Sequence, residues 1–391
     1  MKTKLLAIIA VSVFAFTSCS DDDDVNPIGG TEITELNGNI TAEDAIVVGT
    51  SINLTGPTYV KEGATLTIPA GTTINATTEG TSAFILVERG GKIIAKGTES
   101  APIRFTSTTK RSGSWGGLII NGYAPLSRPT EASASTGQTE ISPNILYGGD
   151  NAADNSGELD YVILEYTGAN INDAAEHNGL TLNGVGNGTK ISNIYIKDGA
   201  DDAIEFFGGS VDVTNLLVVN SEDDMFDFTQ GYTGTLTNAY GIWEAAFTTN
   251  EGDPRGIEAD GNLDGKTMQD VAQSNFKING MTIVQNSTTA GAAGTMQDVV
   301  KIRRGATATI TNLLIEIGAS GLYTDIIDLT DGDGNVTPGN PASAITYTFN
   351  SLNTALPYAD SKVKGVGATI TKNDTSTGAN TSVFSWTGYS F

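Results

Sequence analysis

Two stretches of this chain repeat one chemical pattern. GADDAIEFF (199–207) and SEDDMFDFT (221–229) each set an aspartate pair, Asp201-Asp202 or Asp223-Asp224, just before an alternating run that carries one more carboxylate, Glu205 or Asp227. Paired carboxylates can divide the acid and base work of glycoside hydrolysis, and the same oxygens can ligate Ca2+. Duplication allows a third meaning, the repeated turn of a repeated fold. The elements that carry these residues decide among the three.

Short alternating runs punctuated by Gly, Asn and Asp recur along the chain with little helical periodicity, which predicts an all-β protein. YVKEGATLTIPAGTTI (59–74) is echoed by LVERGGKIIAKGT (86–98), so that Val60, Gly63 and Leu66 return 27 residues later as Val87, Gly90 and Ile93. ISNIYI, VTNLLVV, LTNAYGI and ITNLLIEI restate a second strand, with Asn193, Asn215, Asn238 and Asn312 in one position. Repeats of this length built from short strands predict a right-handed parallel β-helix. The asparagines read as a stacked ladder that sets register.

A third strand recurs as GLTL, AIEF, MFDF, GIEA, VVKI and IIDL. Alternation buries its second and fourth residues, Ile204, Phe206, Phe226 and Phe228 among them, and turns the third outward. Thr181, Glu205, Asp227, Glu258, Lys301 and Asp328 are therefore expected to form one exposed column with a rung spacing of ~4.8 Å. Long loops are expected at residues 243–255 and 260–277. WGGLII, from Trp115, fits a further coil whose glycines mark tight turns.

The chain has 391 residues and a formal charge of −24, with 39% hydrophobic residues, enough for a sizeable core. Its acidity disfavours nucleic acid and suits cations, cationic partners or neutral glycans. Lys2, Lys4 and the apolar run from Leu5 to Phe16 read as a signal peptide that stops just before Cys19, the chain's one cysteine, in a lipobox. This places a lipoprotein signal peptide at 1–18, a lipidated Cys19 with an acidic tether at 19–37, and a β-helix domain at 38–391. Acyl chains such as palmitate on Cys19 would anchor the protein, and no sorting domain follows SVFSWTGYSF, so the lipid is the expected anchor. Phe16 and the acidic run Ser20-Asp21-Asp22-Asp23-Asp24 resemble the lipobox and export tag of Bacteroidota-type lipoproteins, which implies an outer-membrane, outward-facing location.

IPAGTTI, SWGGLIING, ELDYVILEYTG, GLTLNGVGNGTKISN, DDAIEFFGGSVDVTN, FDFTQGYTG, RGIEADG and KIRRGATATITN occur in that order. Together they resemble a family of right-handed parallel β-helix surface lipoproteins from about residue 57 onward. The resemblance implies fold and exposure. It implies no reaction, because fold alone confers none.

For a hydrolase, carboxylates one rung apart (~5 Å) or two (~10 Å) fall near the retaining and inverting separations. The only histidine, His177, lacks a Gly-His-Gly context, reads as a loop residue and weighs against such an enzyme. A Ca2+-dependent polysaccharide lyase would use Glu205, Asp227 and Glu258 for the ion and Arg255 or Lys301 as base. Lys301 between Glu258 and Asp328 instead suits ordinary cross-strand ion pairs. Structural Ca2+ has two candidate sets. Asp260, Asn262 and Asp264 open an EF-hand-like loop whose twelfth residue is Val271 rather than Glu. Asp331, Asp333 and Asn335, with Asp328 nearby, form the other. For glycans, Trp243, Tyr240, Tyr232 and Tyr123 could offer stacking rings, and core packing is the competing role.

These observations favour a surface lipoprotein whose β-helix is a non-catalytic binding platform for glycans or surface proteins. The ligand rim would be Asp202, Asp224, Glu205 and Asp227, with Glu258, Arg255, Lys301 and Trp243 beside it, and no cofactor beyond structural Ca2+. A lyase or hydrolase and a structural or adhesive protein are the alternatives.

Overall fold

The computed structural model describes residues 30–172, 175–263, 269–331 and 337–391. Cys19, Asp264, Asp333 and Asn335 lie outside them. Among the described residues, 25 strands join in one sheet system whose pairings are all parallel, each strand beside its counterpart on the next coil. This is the expected parallel β-helix.

The 27-residue echo is one coil. Val60 pairs with Val87 and Leu66 with Ile93, and the Gly63 N–H bonds the Gly90 carbonyl. Both glycines hold φ near +79°, a turn conformation that a Cβ opposes. The ladder begins before residue 38. Thr31–Ile33 and Glu35–Ile40 already pair with Asp44–Val47 and Ser51–Val60, so the last part of the expected tether belongs to the first coil. Leu36 explains the shift, since its side chain is fully buried.

Alternation fills the coil interior with aliphatic and aromatic stacks. Phe206, Phe228 and Phe276 lie face to face, with ring centroids 5.0 and 4.3 Å apart. The asparagine ladder is real across three rungs. Asn238 Nδ2 donates to Asn215 Oδ1, and Asn215 Nδ2 to Asn193 Oδ1, each at 2.8 Å. All three residues have φ above +50°, in the left-handed turn that asparagine tolerates. Asn312 stands apart from them, because Gly280 occupies the intervening rung.

Residues 373–391 run back over the outside of this ladder. Gly378 O accepts from Asn312 Nδ2 at 2.9 Å, and the Asn380 N–H donates to Asn238 Oδ1 at 2.6 Å. Strap backbone thus makes the bonds that an asparagine at 280 would make. Beyond it, the 3-10 helix Thr381–Thr387 lays Phe384 on the outward apolar row Ile163, Tyr195, Leu217 and Tyr240.

Candidate functional site

The third strand recurs where its pattern predicts. Leu180–Asn183, Ile204–Phe207, Phe226–Thr229, Arg255–Ala259, Thr295–Lys301 and Leu322–Asp328 stack in parallel. Thr181 faces Glu205, Glu205 faces Asp227, Asp227 faces Glu258, and Lys301 faces Asp328. The column continues to Lys364 at one end and through Ile119, Leu86 and Tyr59 to Asn39 at the other.

The column points out of the coil but is not freely exposed. Thr181, Lys301 and Asp328 are buried, and Glu205, Asp227 and Glu258 are half-buried, because loops fold over the strands. Two of these walls are antiparallel hairpins that the sequence pattern does not announce, Gly137–Thr139 with Ser142–Tyr147 and Asn170–Asn172 with Ala175–Glu176. Both are too short to show a clear alternation. Between the walls lies a cleft of 260 Å³ whose lining, among the described residues, holds ten carboxylates against two guanidinium groups, those of Arg303 and Arg304.

The second aspartate of each pair is architectural. Asp202 Oδ1 accepts the Asp224 N–H at 2.9 Å, and Asp224 Oδ1 accepts the Arg255 N–H at 2.6 Å. Each side chain thus closes the turn of the next coil. All four aspartates, Asp201, Asp202, Asp223 and Asp224, still line the cleft.

Along the column the charges sort into two halves. From Lys301 onward signs alternate, with Lys301 Nζ 3.1 Å from Asp328, which also receives Lys364 at 3.0 Å. Against the cost of its burial, bonds from Thr330, Lys364 and Lys301 hold the Asp328 carboxyl below its usual range. Glu205, Asp227 and Glu258 instead place three carboxylates on consecutive rungs. Glu258 is taken by Arg255 and Arg303. Glu205 accepts from the neutral Asn178 amide at 2.6 Å. Asp227 Oδ1 and Asp223 Oδ1 are buried without a hydrogen-bond partner among the described residues.

Electrostatics follow from that geometry. Burial, then repulsion from Asp227 and Glu140, pushes Glu205 well above the usual carboxylate range. Burial and Asp260 raise Asp227 to about 7, and burial with Glu251 and Asp253 raises Asp223 to about 7. Asp201, Asp202 and Asp224 are raised in the same way, each by burial first and a neighbouring aspartate next. Like charges held together out of water must take up protons or a cation. Oxygens of Asp202, Glu205 and Asp227 lie within 4.8 Å of one another, as do those of Asp201, Asp202 and Asp223. Carboxylates so placed suit a hard cation, whose oxygen ligands stand at ~2.4 Å from the ion.

Several expected residues play other parts. Trp243 is fully buried, with its indole donating to Ser221 O at 2.9 Å and its ring against Phe247, so it offers no face to a sugar. Tyr232 is likewise inside the coil, and Tyr240 lies under the strap. Apolar strand context outweighs the proximity of a loop for Trp243 and Tyr240, and Tyr232 turns inward from its loop onto Phe206 and Phe228. Asp260 is held by Arg303 at 3.0 Å and Arg304 at 2.7 Å, while the Asn262 amide donates to Gln273 at 2.9 Å. These two side chains are committed to protein partners rather than to an EF-hand-like loop. Asp328 is bonded as above, and Asp331 is the other described member of its set. His177 is a loop residue, as expected, but a buried one. Its ring lies 5.2 Å from Phe84 and over Gly116, where burial lowers it to about 4 and keeps it neutral.

Of the two candidates for a lyase base, Arg255 has four carboxylates around it, which outweigh burial and raise its pKa. Lys301 is paired to Asp328. Arg303 differs, because burial together with Arg255 and Arg304 lowers it to about 10.

Residues 38–389 match the family model described as a pectate-lyase-like beta helix domain. No curated protein and no solved structure matches the chain.

Proposed function

The chain belongs to the pectate-lyase-like β-helix family, and on that footing we propose that it is a polysaccharide-binding module, held by a Cys19 lipid on the outer face of an outer membrane, that retains a glycan without cleaving it. The family match fits a polysaccharide-related role. One observation carries the finer reading: Glu205 and Asp227 stand on adjacent rungs of the cleft floor with raised pKa values and, among the described residues, no basic side chain bonded to either. Carboxylates in that state accept hydroxyl donors from a sugar, and with Ca2+ on Asp202, Glu205 and Asp227 they would share the ion with glycan oxygens. Arg303 favours a second reading, a Ca2+-assisted lyase. A base must shed its proton, and a guanidinium at about 10 sheds it more readily than an ordinary one. Its ion pairs with Glu258 and Asp260 oppose that loss.

The deciding experiment exposes the protein without residues 1–19 to a glycan array, with and without Ca2+, followed by product analysis of each retained polysaccharide. Retention of intact glycan, weakened in Asp227→Asn, is expected. Unsaturated products that vanish in Arg303→Ala would replace binding by lysis, and no retention at all would remove both readings.

A further inference from the structure

The outward column that floors the acidic cleft starts, on the first coils, as Asn39, Tyr59, Leu86 and Ile119. Over this end lies a second cleft, of 510 Å³. The hairpin Gly137–Thr139/Ser142–Tyr147 separates the two: Glu140 at its turn lines the acidic cleft, and Asn144, Ile145 and Leu146 line this one. Tyr59 and Glu205 are four rungs apart, ~19 Å at the usual strand spacing.

The chemistry here differs from that of the acidic cleft. Tyr59 is fixed edge-on by Phe84, with centroids 5.5 Å apart at 89°. Tyr123 rests on Gly90, where a Cβ would already stand 3.5 Å from the ring, and its hydroxyl faces Glu62 at 3.3 Å. Arg89 lies over the Tyr123 ring at 5.0 Å and donates to Gly148 O at 2.8 Å. Among the described residues no carboxylate ion-pairs with Arg89, whereas Lys61 beside it is paired with Glu88. In a chain of charge −24, this is a positioned guanidinium with donors to spare, stacked on one tyrosine and facing a cleft lined by another.

The geometry points to a second saccharide site in this cleft, selective for a sugar that carries a carboxylate or sulfate. Tyrosine rings supply apolar faces for the sugar, and the guanidinium fork supplies a bidentate anion contact. The site extends the polysaccharide reading to a new surface without depending on the acidic cleft.

Calorimetry in chelator tests it on the protein without residues 1–19. The probes are an oligogalacturonate, a sulfated galactan oligosaccharide and a neutral galactan oligosaccharide. The variants are Arg89→Ala, Tyr123→Ala and, as control, Asp227→Asn, each checked for a single cooperative melting transition. Arg89→Ala should weaken whichever anionic probe binds by about tenfold or more, the scale of one charge-assisted hydrogen bond. Tyr123→Ala should weaken it too, and Asp227→Asn should leave it unchanged. The preferred probe separates carboxylate from sulfate. If neither anionic probe binds, or if binding survives both Arg89→Ala and Tyr123→Ala, the site is overturned. Loss of binding in Asp227→Asn alone would also overturn it, by assigning the ligand to the acidic cleft. Neutral-glycan retention that Asp227→Asn does not alter would instead count against the acidic-cleft reading and leave this one standing.

Discussion

Asp227 sits between Glu205 and Glu258 on three successive rungs, with one carboxylate oxygen buried and unbonded. A carboxyl whose folded pKa exceeds its unfolded value holds its proton more tightly in the folded chain. Its contribution to stability is complete below the unfolded value, at about 4, and is lost as pH rises through the folded value. For Asp223 and Asp227 that window closes at about 7. The melting midpoint should therefore fall between about pH 4 and about pH 7.5, and Asp227→Asn should flatten the fall, because a neutral amide has no proton to lose. Adding Ca2+ at the upper end of that range should recover part of the loss in the wild type and less in Asp227→Asn. Equal pH slopes in the two proteins would show that the cluster is not strained by its charge. The residue types and their spacing already mark these positions in the sequence. Their protonation does not show there, because it depends on walls contributed by Glu140, Glu176 and Asp253 from distant loops.

Among the elements, parallel backbone pairing holds every coil to the next, and the middle coils add the aromatic stack inside and the polar ladder in one turn. Gly280 interrupts the ladder, and the strap backbone fills the gap. An asparagine there could adopt the φ of +74° and restore side-chain bonding, but its amide would take the places now held by Gly378 O and the Asn380 N–H. Gly280→Asn should therefore loosen residues 373–391. Amide exchange across Thr381–Thr387 should become faster, by about tenfold for each ~1.4 kcal/mol by which the strap is weakened, with Asn275–Gln285 still protected. Unchanged exchange in the strap would show that the ladder and the strap do not compete. The ladder is legible in the sequence because asparagine recurs at one position of one repeated strand. Its gap and the filling of that gap are not, since residue 378 approaches residue 312 only through the fold.

Across the whole molecule, the solenoid presents one face as a continuous floor, with a tyrosine-lined cleft that holds Arg89 toward its first coils, an acidic cleft over its middle and alternating ion pairs toward its last. Another face carries an apolar row that the strap covers through Phe384, with Trp386 and Tyr389 alongside. Removing residues 374–391 should bare Ile163, Tyr195, Leu217 and Tyr240 together. The expected result is a lower melting midpoint and new binding of a hydrophobic dye, since a contiguous apolar patch of this kind is unusual on a soluble surface. A truncated protein that melts like the full chain and binds no dye would show that the strap adds little.

The parallel β-helix, the 27-residue coil, the inward phenylalanines and the outward column from Thr181 to Asp328 are all legible in one dimension, because a period of two and a repeated turn are local properties. Tertiary structure alone decided the surroundings of that column. It turned Asp202 and Asp224 into turn closures, buried Trp243, committed Asp260 and Asn262 to Arg303, Arg304 and Gln273, and left Glu205 and Asp227 without a basic partner among the described residues. The physical reason is that charge and burial are sums over neighbours in space. In a solenoid the neighbours along the column are set by the repeat, but those across the cleft come from loops that the repeat does not specify.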